Sequence, residues 1–109
     1  LLAATLPQIR HSLDFYGAGV SGMRPGGGAP SLELLPQVSG KLTCVCGSAD
    51  PLIPEQDRAA IRLALAASDP SGERLSYIEI NGVDHGFMCE ARGSFNAAAS
   101  ALGWQLILA

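Results

Sequence analysis

KLTCVCGSADPLIP, residues 41–54, decides how this chain folds. Its first part, Lys41 to Cys46, mixes Leu, Thr, Val and Cys, is too short and too β-branched for a helix, and reads as a buried strand. GSADPLIP then turns the chain, which puts Asp50 just past the strand's carboxyl end. In open α/β sheets the loops at the carboxyl ends of the strands form the crevice where ligands and chemistry sit.

Downstream, PEQDRAAIRLALAAS predicts a helix that opens at Pro54, which has no N–H to leave unpaired at a first helical position. Glu55 and Asp57 complement the positive end of the dipole, and Ile61, Ala64, Leu65 and Ser68 share one face. DPSGE breaks this helix, RLSYIEI alternates as a strand from Leu75 to Ile80, and NGVDHGF is the loop that follows. A closing helix is expected over Ser94–Leu108, with small alanines on one side and Leu102, Leu106 and Ile107 on the other. Upstream, Leu1 to Leu6 read as a helix tail, Leu13 to Tyr16 as a short strand, and Gly17 to Ser31 as a long glycine-rich connection. SLELLPQV adds a single helical turn. The order of strands and helices predicts an α/β fold of parallel strands joined by right-handed crossovers.

With 109 residues the chain fits one domain at most, and it reads as a piece of a larger one. At 48% hydrophobic and 16% charged, it suits strands covered on both faces. A net charge of -3 argues against nucleic-acid and anionic-membrane partners, which select clustered Lys and Arg. The glycine-rich connection contains neither phosphate-binding glycine motif. Cys44, Cys46 and Cys89 are odd in number and have no C-x-x-C spacing, so a disulfide framework and a zinc site are not expected. Cys44 and Cys46 are expected to point to opposite faces of their strand as small core residues, and a reducing cytoplasm is the expected location.

His85 occupies the same kind of place as Asp50, in a loop just beyond a strand. Neighbouring parallel strands lie only about 5 Å apart, so the two loops can meet. A buried carboxylate that accepts from His Nδ1–H fixes the tautomer and stabilises the imidazolium formed when Nε2 takes a nucleophile's proton. Gly86 would keep bulk off the ring, and Gly82 would let the strand turn. The plainer alternatives are that Asp50 is a turn former or helix cap and that His85 is merely exposed. Joint metal ligation by the two lacks a third ligand.

FYGAG, GSADPLIP, GVDHGF and RGSFNAAASALGW together resemble the C-terminal half of the dienelactone hydrolase family, within the α/β-hydrolase fold. The most specific parts are G-x-x-D-x-x-I-P around Asp50 and D-H-G-F at Asp84 to Phe87. The resemblance implies that Asp50 is the triad acid and His85 the general base, in the family order nucleophile, acid, histidine. It also implies a small-molecule ester or lactone as substrate, no cofactor, and Tyr16, Phe87 and Arg92 as substrate-binding candidates. In some relatives an Arg four residues after the histidine grips a substrate carboxylate; here Cys89 stands there and Arg92 three residues later, where a solvated helix-start Arg is the plainer reading. No G-x-[CS]-x-G elbow occurs, and Ser21 in GVSGM has the wrong spacing. Cys89 reads as pocket wall or helix lead-in. The nucleophile and oxyanion donors are therefore expected upstream, in an N-terminal part of the same domain, and these 109 residues alone are expected to be inactive. A serine esterase or peptidase of the same fold and a non-catalytic binding module are the rival readings, separated by the residue at the upstream elbow.

Overall fold

The computed structural model describes residues 2–19 and 31–109; Ser21 and most of the glycine-rich connection lie outside them. The elements are α1 (Leu2–Thr5), β1 (His11–Phe15), a 3-10 helix (Ser31–Gln37), β2 (Lys41–Gly47), α2 (Glu55–Ser68), β3 (Leu75–Ile80) and α3 (Ala97–Leu108). The strands form one parallel sheet in the order β1-β2-β3. Every residue of β2 except Lys41 is buried, as a central strand covered on both faces requires.

Each face has its own core. Leu42, Cys44 and Cys46 pack with Ile61 and Leu65 of α2 and with Leu35 and Val38. Val45 packs on the other side with Val83, Phe87 and Ala99 of α3. Cys44 and Cys46 thus share one face, contrary to the expectation of opposite faces. The side-chain alternation of a strand has a period of two residues, so positions 44 and 46 have to point the same way.

Element ends moved where local backbone chemistry decided them. β1 begins earlier than expected, at His11, and stops at Phe15, because Tyr16 adopts φ 44, the left-handed region, which cannot continue a strand. Pro54 is the N-cap of α2 rather than its first residue; its carbonyl accepts the N–H groups of Asp57 and Arg58. α3 starts at Ala97 instead of Ser94, since the Asn96 side chain caps it by accepting from Ala99 N–H at 3.0 Å. The side of α3 that packs inward is its small one: Ala99, Ser100 and Gly103 are buried, whereas Trp104, Ile107 and Leu108 are exposed. A Cβ at Gly103 would meet the Met88 sulfur at 2.6 Å and the Phe15 ring at 3.3 Å, so the glycine lets α3 sit close over these two side chains. Among the described residues no helix is long and apolar enough to cross a membrane.

Two features fix the loops at the ends of the sheet. Between α2 and β3, Asp69 Oδ2 accepts from the N–H groups of Arg74 and Leu75 at 2.7 and 2.9 Å. Those bonds, Leu75's first, hold the Asp69 carboxyl below its ordinary range. A depressed carboxylate contributes stability above its unfolded pKa and loses it as pH falls through the folded value. Acidification through and below the ordinary carboxylate range is therefore expected to speed hydrogen exchange of the Arg74 and Leu75 amides, once corrected for intrinsic rates. At the opposite end, a methyl at Gly47 would overlap the Val83 carbonyl. Gly47→Ala is expected to destabilise the protein by about 1–3 kcal/mol, the usual range for overpacking, in chemical denaturation.

Candidate active site

The register pairs Gly47 with Ile80, so the loops after β2 and β3 leave the sheet side by side. Main-chain bonds continue the pairing past the strands, from Ser48 N–H to the Ile80 carbonyl at 3.0 Å and from Ala49 N–H to the Val83 carbonyl at 3.0 Å. Ser48 adds a side-chain stitch: its Oγ accepts from Gly82 N–H at 2.7 Å and donates to Asn81 Oδ1 at 3.2 Å. Gly82, at φ 75, makes the turn that brings the second loop back over the first.

This arrangement sets Asp50 against His85. Asp50 Oδ2 lies 2.7 Å from His85 Nδ1, with the Asp side chain 0% exposed and the His side chain 19%. The other carboxylate oxygen accepts from Leu52 N–H at 2.8 Å, inside the Asp50–Pro51–Leu52 turn. Both oxygens are thus engaged, and the carboxylate holds the ring through Nδ1. His85 Nε2 has no protein bond among the described residues. A ring bound in this way keeps its Nδ1 proton and presents Nε2 as a base.

Tyr16 stands edge-on to His85 with ring centroids 5.1 Å apart. On its other side it meets Phe87 at 5.2 Å, again edge-on. Tyr16 therefore borders the imidazole. Phe87 does not face a ligand as expected; at 0% exposed it belongs to the core and braces Tyr16. The apolar side chain is drawn into the cluster with Val45, Val83 and Ala99.

Arg92 is exposed and lies in the turns before α3, so it is not a helix-start residue. Its side chain runs across Gly86, where a Cβ would meet Nη1 at 2.8 Å. Gly86, at φ 76, thus leaves room for the guanidinium of Arg92 next to His85 in the chain, where the sequence suggested clearance for the ring itself. Cys89 is exposed. Ser48 carries no signal in the sequence, since a lone Ser in a turn makes no motif.

Cys44 and Cys46 are poor nucleophiles here. Burial, followed by the nearby Asp14 carboxylate, pushes the Cys44 thiol up to about 12 and the Cys46 thiol up to about 11. A thiol so far above neutrality holds its proton and does not attack. Iodoacetamide at neutral pH is accordingly expected to label Cys89 and to leave Cys44 and Cys46 unmodified until the protein is denatured, as peptide mass spectrometry would show. Among the described residues no three His, Cys, Asp or Glu side chains gather as a metal would need.

Comparison with known proteins agrees with this fold. The Dienelactone hydrolase family profile matches residues 1–109. A Synechocystis sp. protein named "Putative carboxymethylenebutenolidase" is 35% identical over 106 residues, which cover 97% of this chain and 42% of that protein. The crystal structure of a "Putative Dienelactone Hydrolase" from Klebsiella pneumoniae superposes with a TM-score of 0.84 at 23% identity, over 97% of this chain and 43% of that one. The fold is that of an α/β hydrolase. The chain spans less than half the length of these relatives.

Proposed function

The chain belongs to the dienelactone hydrolase family, and from that premise we propose that the full-length protein hydrolyses carboxylic esters or lactones through an acyl-enzyme. The observation that carries this reading is the 2.7 Å contact between a buried Asp50 carboxylate and His85 Nδ1. With Nδ1–H held by Asp50, Nε2 takes the proton of a nucleophile as that atom attacks the ester carbonyl. The imidazolium so formed is stabilised by the adjacent carboxylate and returns the proton to the leaving alkoxide. Water then repeats the sequence on the acyl-enzyme, with His85 again the base.

The nucleophile and the oxyanion donors come, on this reading, from residues upstream of these 109 in the same domain. The raised Cys44 and Cys46 thiols favour that assignment by removing two candidates within the chain. On this reading Tyr16, edge-on to the imidazole, walls the site, and Arg92, whose side chain crosses Gly86, is proposed to meet an anionic group on the substrate. The proposed reaction needs no metal or organic cofactor, because attack, proton shuttling and charge stabilisation are all side-chain or backbone work.

In the full-length protein, His85→Ala is expected to abolish ester turnover. Asp50→Asn is expected to lower kcat by about 10⁴-fold if the nucleophile is a hydroxyl, because the amide favours the wrong imidazole tautomer. With a thiol the loss should be smaller, since a thiolate forms more readily than an alkoxide. Substrate-protected inactivation by iodoacetamide, mapped to a cysteine other than Cys89, would identify the thiol case. Ester hydrolysis that survives His85→Ala would overturn the proposal.

A further inference from the structure

Behind the Asp50 turn lies a buried cation that the proposed chemistry does not use. Arg58 is 7% exposed, and its guanidinium spends each nitrogen on a different acceptor. Nη1 donates to the Ile53 carbonyl at 2.8 Å, Nε to Glu79 Oε1 at 2.9 Å, and Nη2 to Glu55 Oε2 at 2.7 Å. Ile53 ends the turn that begins at Asp50, and its N–H returns to the Asp50 carbonyl at 3.3 Å. Glu79 lies on β3, the strand that leads to His85. The same Glu79 oxygen also accepts from Tyr77 OH at 2.8 Å and, more weakly, from Arg62 Nη1 at 3.1 Å.

We infer that Arg58 is a positioning residue, which clamps the Asp50–Ile53 turn to β3 and thereby holds Oδ2 on His85 Nδ1. The acid turn and the histidine's strand are joined at the front by the Asp50–His85 bond and at the back by this guanidinium. A planar fork is needed, because one cation must serve a carbonyl on one segment and a carboxylate on another. Lysine concentrates its charge at one point and cannot span both. Arg62 supplies the internal comparison: it bonds Glu79 at 3.1 Å and Glu55 at 2.6 Å but does not touch the turn.

The inference extends the proposed function, and the test separates the two. In the full-length protein, Arg58→Lys is expected to lower kcat for ester hydrolysis roughly 10- to 100-fold, the scale of a small misplacement of catalytic groups, with KM changed less than twofold. The low-field Nδ1 proton resonance of His85 should broaden or vanish in the same variant. Arg62→Ala should keep both the resonance and kcat. Retention of both by a folded Arg58→Lys, or equal losses in Arg62→Ala, would overturn the clamp. Should Arg58→Lys fail to fold, Glu79→Gln replaces it, with weakening of the resonance expected and an unchanged resonance counting against the clamp. A wild-type protein without ester turnover would remove the proposed function, yet the resonance would still decide the role of Arg58.

Discussion

A carboxylate with no exposed surface has no water to turn to, so both oxygens of Asp50 must be satisfied by the chain itself. One donor is local: the Leu52 N–H comes with the turn, at 2.8 Å. The other, His85 Nδ1, is 35 residues away and arrives only when β2 and β3 pair correctly. A slip of one residue between these strands would move the histidine loop by about 3.3 Å, beyond hydrogen-bond reach, and leave a buried charge unpaired. Such a charge costs on the order of 3–5 kcal/mol, a large part of a domain's net stability. The bond that orients the imidazole therefore also selects the register of the sheet.

The two-sided burial of β2 explains why small residues occur where they do. Each face already carries a helix layer, so chain segments that come closest to the sheet have no room for side chains. Gly47 lets the Val83 carbonyl approach the end of β2, and Gly103 lets α3 settle over Met88 and Phe15. The first approach brings the two loops together, and Ser48 then ties them through Gly82. Polar stitching at one edge and apolar packing at the faces thus enforce one geometry. The sheet supplies position, and the loops supply chemistry.

Legibility in the sequence followed the range of the interactions. β2 and β3 could be read because a short β-branched run between turn formers has few alternatives, and β3 matches its expected bounds of Leu75 to Ile80. α2 was legible from Pro54, Glu55 and the spacing of Ile61 and Leu65. The start of α3 was not, because Ser94 and Asn96 are both good caps, and the choice fell to Asn96 N–H, which donates to the Phe87 carbonyl at 3.0 Å. Asp50 and His85 stood out by their places after strands, although their meeting depends on register. Tyr16 in a left-handed conformation and Arg58 buried under a turn depend wholly on tertiary contacts. An Arg on a helix reads as a solvated charge until the acceptors that surround it are known.

The same geometry constrains what must complete the proposed site. Asp50 occupies Nδ1, so a nucleophile has to reach Nε2, on the side of the ring away from the carboxylate. Cys44 and Cys46 lie on the β2 face that packs under α2, and burial keeps them protonated. Among the described strands β1 pairs on one side only, with β2. A further parallel strand at that edge would run about 5 Å from β1 and open its own carboxyl-end loop beside Tyr16. Tyr16 has left the line of β1 through its positive φ and stands edge-on to His85. Its ring, which borders the imidazole, would then stand beside the incoming residue. On the proposed reading, the left-handed backbone at Tyr16 serves that placement, which a residue continuing the strand could not provide.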